Sequence, residues 1–335
     1  MTTNSLVDVS GIKVGQAEDH KALTGCTVII CEKGAVAGVS QRGGAPGTRE
    51  TDLLRPGHMI QKVHAVLLSG GSAYGLDAAG GVMQYLEEKK IGFPAGATVV
   101  PIVPSAILYD LDFGDHAFRP GKEMGYQACI NAKTSRPDEG NFGAGTGATV
   151  GKILGGNQAM KSGIGTASIT IGNGIVIAAM IAVNAFGDVI ENDKIIAGTR
   201  TLKKGPLKLG ADEIFADTRE VMQSFAGRQI LSFASHQNTV IGVIATNAIL
   251  TKEEANHLAD VASNGISYAV RPAFTMFDGD TLFALATGKI KADVNLIAAY
   301  APDVVSQAIR NGVKAAQSAA GLPAYSDLLS GTIES

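Results

Sequence analysis

The sequence predicts a layered α/β fold in which β-sheets are covered by helices. Predicted strands come in neighbouring pairs, and these pairs alternate with helices instead of following a regular β–α–β order. The chain has 335 residues, of which 45% are apolar and 18% charged, so it can form one large core or two ordinary ones. Glycine occurs 42 times without a collagen period, which indicates tight turns and close backbone packing.

The first part of the chain predicts strands and one helix. CTVIIC (26–31) and AVAGVS (35–40) are apolar runs with a short polar break between them, and they predict a hairpin. HAVLL (64–68) predicts a strand, and SAYGLDAAGGVMQYLEEKK (72–90) predicts a helix that ends at two lysines. TVVPIV and AILYDL then follow as extended pieces.

The middle of the chain combines a polar loop, a strand pair and a connection. Residues 136–152 are polar and rich in glycine. TASITIG (166–172) and IVIAAMIAV (175–183) predict two paired strands joined by Gly-Asn-Gly. Residues 191–238 are charged and interrupted by Gly and Pro, so we expect a surface connection there.

The last hundred residues begin with an apolar strand that follows Thr239. Thr251 and Glu254 then have the spacing of a capping box, which predicts the start of a helix. Its core face holds four apolar residues, Leu258, Val261, Ala262 and Ile266. TLFALAT (281–287) predicts a strand, and an amphipathic helix is expected over about 293–319.

Charge and composition exclude several classes of partner. The net charge is −3 without a basic stripe, so we expect no nucleic-acid partner. The most apolar run, 175–183, is too short to span a membrane, and the N-terminus lacks the pattern of a secretory signal, so we expect no membrane partner. Cys26 and Cys31 face opposite sides of one predicted strand and Cys129 lies far along the chain, which favours free thiols and a cytoplasmic setting.

The sequence holds one incomplete nucleotide-binding motif and no metal-binding motif. GTGATVGKI (145–153) resembles a phosphate-binding loop, but Thr146 stands where the first glycine is required and Ile153 where Ser or Thr would hold magnesium. A nucleotide-binding oxidoreductase therefore remains only an alternative. The six histidines have no metal-ligand spacing, so we expect neither a metal nor another cofactor.

Two further motifs have a structural and a functional interpretation. LLSGGSAYG (67–75) is similar to the elbow of a serine hydrolase, but Tyr74 replaces a required glycine, which favours Ser69 or Ser72 as a helix cap. FDGDT (277–281) is either a hairpin turn or a polar site with two crowded carboxylates, whose pKa values would be pushed apart.

Asn238 and Thr239 lie where an exposed connection enters an apolar strand. Alone, such a pair usually marks the end of a turn. In this context the pair also suits an N-terminal-nucleophile hydrolase, in which the backbone cleaves itself before the threonine. The freed α-amine has a pKa of about 7.7–8.0 and can act as base for its own hydroxyl, so no histidine is needed.

Seven segments together carry a resemblance to one family. Over nearly its full length, the chain resembles the P1 peptidase family of DmpA-type aminopeptidases and β-peptidyl aminopeptidases. The segments are SGGSAYGLDAAGGV (69–82), SAILYDL (105–111), GAGTGATVGK (143–152), GIGTAS (163–168), AVNAFGDV (182–189), NTVIGVIATNA (238–248) and DGDTLFALAT (278–287).

The resemblance implies an α-β-β-α layered sandwich of the DmpA/ornithine-acetyltransferase type, with an N-terminal-nucleophile-type hydrolase fold. It implies one domain, 1–335, self-cleaved between Asn238 and Thr239 into chains 1–238 and 239–335 that stay together. It also implies a small peptide or amide substrate, no cofactor, and a homo-oligomer, a tetramer, of cleaved units.

The resemblance assigns roles to individual residues. Thr239 matches the nucleophile and Lys152 a lysine beside it. Asn184 and Tyr109 match positions in the oxyanion and substrate region, and Asp278 and Asp280 are expected to orient the amine and hydroxyl of the nucleophile.

The chain departs from the aminopeptidase branch at two positions. That branch has serine as nucleophile and serine where Asp278 stands. Thr239 with DGDT is instead similar to the nylon-oligomer (6-aminohexanoate oligomer) hydrolase branch, so removal of N-terminal residues and cleavage of internal ω-amides both stay open. An inactive binding scaffold and transfer of an acetyl group are further alternatives.

Overall fold

A computed structural model describes residues 2–202, 214–225, 227–229 and 238–330. The strands are β1 (Lys13–Asp19), β2 (Thr24–Gln41), β3 (Thr48–Arg49), β4 (Val63–Ser69), β5 (Phe93–Ala95), β6 (Thr98–Val100), β7 (Ser105–Ile107), β8 (Thr149–Val150), β9 (Met160–Lys161), β10 (Ile164–Ile171), β11 (Ile175–Asn184), β12 (Asp188–Glu191), β13 (Lys194–Ala197), β14 (Thr239–Ile249), β15 (Val270–Arg271) and β16 (Thr281–Lys291). The helices are α1 (Ala78–Glu88), α2 (Lys122–Ile130), α3 (Thr218–Gln223), α4 (Lys252–Ala262), α5 (Asn264–Ala269), α6 (Val294–Ala315) and α7 (Tyr325–Leu329).

The main strands are ordered β10-β11-β14-β16-β2-β4-β7-β3, and β1 also pairs with β2. β14 and β16 run parallel at the centre, between the antiparallel neighbours β11 and β2. The first part of β2 pairs with β1 and β4, and its last part pairs with β16. One long strand thus links two halves of the sheet.

Three apolar clusters show how these halves pack. Alternate residues of β14 point to opposite sides, as strand geometry requires. Ile241 and Val243 belong to an apolar cluster that also contains residues of β4. This cluster lies between the two halves of the sheet. Val240 and Ile244 pack with residues of α4 and α6. A third cluster joins β2 and β4 to α1 and α2, which completes the α-β-β-α arrangement predicted for the chain.

The predicted hairpin over 26–40 is wrong, because both apolar runs belong to the single strand β2. At the polar break between them, the pairing of β2 with β4 shifts its register. Ile30 pairs with Ala65, and the next residue of β2 that pairs with β4 is Ala35. Gly34 has a φ of 71° there. A bulge of this kind bends a strand without reversing it, and this bend lets β2 serve both halves of the sheet.

Several local predictions are confirmed. β10 and β11 pair antiparallel through the Gly-Asn-Gly turn, and Thr251 with Glu254 forms a capping box at α4. Leu258, Ala262 and Ile266 are buried, whereas Val261 is only half-buried. The helix predicted over 72–90 begins with a 3-10 turn and becomes α-helical only at α1.

The predicted surface connection contains regular structure. β13 and α3 lie within residues 191–238, while residues 203–213, 226 and 230–237 lie outside the described residues. Asp188 holds Thr199, which follows β13, and Thr218, which begins α3. Its carboxylate accepts hydrogen bonds from the amides of Thr199 (2.8 Å) and Thr218 (2.7 Å). None of the described helices is long and apolar enough to cross a membrane.

Candidate active site

The candidate site lies at the beginning of β14, where Thr239 is the first residue. Thr239 is directly opposite Asn184, the last residue of β11, and both are buried. The Thr239 hydroxyl donates to the carbonyl oxygen of Asn238. The same oxygen accepts a hydrogen bond of 2.9 Å from the amide of Gly279. The predicted nucleophile therefore lies against the predicted scissile peptide bond, and a backbone donor faces its carbonyl.

Asn184 binds three residues from two segments of the chain. Its Oδ1 accepts from Lys152 Nζ at 2.7 Å and from the amide of Thr149 at 3.1 Å. Its Nδ2 donates to the backbone carbonyl of Tyr109 at 2.8 Å. Donors on one side and an acceptor on the other fix which way the amide points.

Lys152 lies in surroundings that weaken its affinity for a proton. Burial lowers the pKa of Lys152 from 10.5 to about 7, although the nearby carboxylates of Asp112, Asp278 and Asp110 act in the opposite direction. An amine with such a pKa is present in both protonation states near neutral pH. This property is typical of groups that take part in catalysis, but buried structural lysines share it.

Asp278 and Asp280 are both buried and bind different donors. Asp278 accepts from the hydroxyl and amide of Thr275 and, at 3.3 Å, from the amide of Phe186. Asp280 accepts from the amides of Val240 (2.7 Å) and Phe274 (3.0 Å). Burial raises the pKa of both carboxyls, and the neighbouring charge of Asp278 helps to raise that of Asp280 to about 8.

The hairpin interpretation of FDGDT is wrong. β15, the strand before this segment, pairs with β12 and not with β16, so the two strands form no hairpin. Gly279 also lacks the positive φ that such a turn requires. Instead, the backbone of this segment binds residues 42–45 that follow β2. Ala45 N donates to Asp278 O (2.9 Å) and Arg42 N to Asp280 O (3.1 Å). The two carboxylates are 2% exposed, so the polar-site interpretation fits their burial.

Tyr109 joins the site differently from the expected way. Its backbone carbonyl binds Asn184, while its hydroxyl donates to Asp112 Oδ1 at 3.0 Å. Burial and the charge of Asp112 raise the pKa of the Tyr109 phenol to about 12, so the phenol stays neutral. An oxyanion role for its side chain has no direct support in this geometry.

Sequence reasoning missed three contributors. The amide of Gly279 acts through the backbone, Thr149 is an ordinary threonine at the start of β8, and Thr275 is an ordinary threonine in a loop. Only the adjacent motifs pointed to their neighbourhood, since Thr149 lies within GAGTGATVGK and Gly279 within DGDT. The glycines of RGGAPG (42–47) are a signal that could have indicated a close backbone approach, since a Cβ at Gly43 would lie 2.3 Å from Asp278 O.

The remaining motifs do not form competing sites. The amides of the glycine loop that would cradle a phosphate already donate within the protein, at Gly145, Thr146, Ala148, Thr149, Gly151 and Lys152. Ser72 is not a helix cap, because Gly71 occupies that position. Among the residues that the structure describes, no three His, Cys, Asp or Glu side chains converge as in a metal centre.

Comparison with known proteins points to one family. The profile of peptidase family S58 matches residues 4–325. An uncharacterized aminopeptidase of Mycobacterium leprae is 39% identical over 98% of this chain and 95% of its own length. A 6-aminohexanoate-oligomer endohydrolase of Kocuria sp. is 29% identical over 92% of this chain and 85% of its own length.

Solved structures agree on the fold. A beta-aminopeptidase of Burkholderia sp. has a TM-score of 0.68 at 21% identity and covers 98% of this chain and 93% of that one. The L-aminopeptidase D-Ala-esterase/amidase of Ochrobactrum anthropi has a TM-score of 0.69 at 19% identity, with coverage of 93% and 86%. That protein is described as a variant of the Ntn hydrolase fold, and the four-layer arrangement found here is of that kind.

Proposed function

This chain belongs to peptidase family S58 and is a hydrolase of amide bonds, and from this premise we propose that it processes itself and uses Thr239 as an N-terminal nucleophile. The observation that carries the proposal is the pair of contacts at the Asn238 carbonyl. The Thr239 hydroxyl and the Gly279 amide both bind its oxygen. A nucleophile and a preorganised donor at one carbonyl are two of the parts that acyl transfer requires, beside a base for the hydroxyl proton.

Self-processing would proceed in two steps. Thr239 Oγ attacks the carbonyl carbon of Asn238, the bond from that carbon to the Thr239 nitrogen breaks, and the nitrogen takes the hydroxyl proton. The product is an ester between Asn238 and Thr239. Water then hydrolyses the ester, which leaves the Asn238 carboxylate, the free hydroxyl and a free α-amine.

The two resulting chains would stay together because they share one sheet. Residues 239–335 supply β14 and β16, which lie between β11 and β2 of the preceding part. Separation would break the ladders on both sides and expose apolar faces in two core clusters. We therefore propose one domain of two chains, 1–238 and 239–335.

The same residues would hydrolyse a bound amide. The α-amine of Thr239 removes the proton from its own hydroxyl, which attacks the substrate carbonyl and forms an acyl-enzyme that water resolves. Asn184 lies opposite Thr239 and is the proposed oxyanion donor. The positive charge that Lys152 carries part of the time would favour the uncharged form of the amine.

The proposed substrate is a peptide or an ω-amide. The Thr239 and Asp278 pattern supports oligomer cleavage of the nylon type, whereas the Mycobacterium leprae relative is described as an aminopeptidase. The two modes differ in whether a free amine must lie next to the cleaved bond.

The test compares three substrates in the purified protein: an amino-acid p-nitroanilide, its N-acetylated form, and a 6-aminohexanoate oligomer. Cleavage of the free-amine anilide alone indicates aminopeptidase activity, and internal products from the oligomer indicate endo-cleavage. An uncleaved chain with no turnover on any substrate would contradict the proposal and favour a binding scaffold.

Two properties of the whole protein are part of the proposal. We place it in the cytoplasm because Cys26, Cys31 and Cys129 are buried free thiols. We also expect a homo-oligomer, a tetramer, of cleaved units, which the mass of the native protein in solution would test.

A further inference from the structure

We propose that Thr275 is a positioning residue that keeps the negative charge of the carboxylate pair on Asp278 and the shared proton on Asp280. The inference rests on the proposed function only for its kinetic readout. Its basis is the arrangement of donors around two buried carboxyl groups that stand two residues apart. Two such groups cannot both ionise easily, so the fold must select one of them.

The donors around Asp278 leave little room for a proton on Oδ2. This oxygen accepts from the Thr275 hydroxyl at 2.5 Å and from the Thr275 amide at 3.0 Å. The hydroxyl itself accepts from the amide of Phe277 at 3.2 Å. With the amide of Phe277 on one of its lone pairs, the hydroxyl can donate its single proton to Asp278 Oδ2, and this hydrogen bond is stronger when Asp278 is ionised.

Asp280 is surrounded differently. Each of its oxygens accepts one backbone amide, Oδ1 from Val240 and Oδ2 from Phe274. Asp280 thus has two donors and keeps a lone pair on each oxygen, whereas Asp278 has three donors, two on Oδ2 and the amide of Phe186 on Oδ1. No side-chain hydroxyl donates to Asp280 among the described residues, so the charge-stabilising hydroxyl belongs to Asp278.

Neighbouring charges favour the same partition. Lys152 acts on Asp278 and stabilises its ionised form, and Asp112 and Asp110 in turn act on Lys152. The charge on Asp278 opposes ionisation of Asp280. The guanidinium of Arg42, whose backbone binds Asp280 O, is directed to Asn264 and to the Asp260 carbonyl.

Thr275→Val tests the proposal, because it removes the hydroxyl and keeps the shape and the backbone amide. Thr275→Ser is the matched control, since it keeps the hydroxyl. Loss of a hydrogen bond to an ionised group should raise the pH at which the pair first ionises by about one to two units. The Val variant should show that shift, and the Ser variant should titrate like the wild type.

The titration is read first by infrared difference spectroscopy in an uncleaved Thr239→Ala background, with Asp278→Asn and Asp280→Asn to assign the bands. This readout does not require self-processing, so it separates failure of this inference from failure of the proposed function. The pH dependence of self-cleavage provides the second readout, and its acid limb should move upward in the Val variant alone. An unchanged titration in the Val variant, or an equal shift in the Ser variant, would overturn the inference.

Discussion

Replacement of Lys152 by Met should make the protein more stable and less active. The fall of the Lys152 pKa from 10.5 to about 7 corresponds to about 5 kcal/mol of unfavourable free energy for its charged form in the folded state. Because the folded pKa is the lower one, the unfolded chain binds more protons between these two values. The penalty is therefore nearly complete at pH 7 and disappears as the pH rises towards 10.5.

The net gain is smaller than the penalty for two reasons. Met loses the 2.7 Å hydrogen bond to Asn184 Oδ1, worth about 1.5–3 kcal/mol for a charged donor. Lys152 is also only half-buried, so solvent screens part of its charge. We expect about 1–3 kcal/mol of added stability at pH 7, a rise of about 1–4 degrees in the melting temperature, and a loss of about a hundredfold or more in turnover.

The assay measures the melting temperature at pH 7 and pH 9.5, the rate of self-cleavage, and kcat/KM on the best amide substrate. Lys289→Met, which replaces an exposed lysine on β16, is the matched control and should change none of them. The stability gain of Lys152→Met should shrink at the higher pH. A lower melting temperature with nearly normal turnover would refute the reasoning and make Lys152 a structural residue.

Three other perturbations have defined outcomes. Asp280→Asn should fold with about 1–3 kcal/mol less stability, because the new NH2 group must face another donor, the amide of Val240 or of Phe274. Its self-cleavage, followed on a denaturing gel, should be slow, and a normal rate would remove Asp280 from the mechanism. Gly279→Ala should block self-cleavage, because the new Cβ would lie 2.5 Å from Ala45 O and 3.0 Å from Thr239 Oγ, and a variant that cleaves normally would contradict this. Chelators and added nucleotides should leave amide turnover unchanged, and loss with a chelator that one metal restores would contradict a cofactor-free mechanism.

Local patterns predicted the parts of the fold that depend on local interactions. The capping box at α4 and the Gly-Asn-Gly turn between β10 and β11 are set by residues close in sequence, and both were predictable. The course of β2 was not, because a polar break between two apolar runs is compatible with a hairpin or with a bulge. Pairing with β4 and β16, which are distant in the sequence, decides between them.

The candidate site shows the same limit at the level of atoms. Lys152 and Asn184 could be selected only through the family resemblance, and Thr239 also from its position before an apolar strand; the structure places Lys152 and Thr239 beside Asn184. The amide of Gly279 and the carbonyl of Tyr109 could not be selected, because every residue has such groups and only the fold brings these two into the site. Their roles depend on contacts between segments that are far apart in the chain.

Self-cleavage before Thr239 is the central claim, and a denaturing gel of the purified wild-type protein with N-terminal sequencing of each band tests it most directly. We predict two bands, 1–238 and 239–335, with the smaller chain beginning TVIGVIATNA, and a single intact band for Thr239→Ala at an unchanged melting temperature. A wild-type protein that remains one band after prolonged incubation, or that is cut at another bond, would contradict the account.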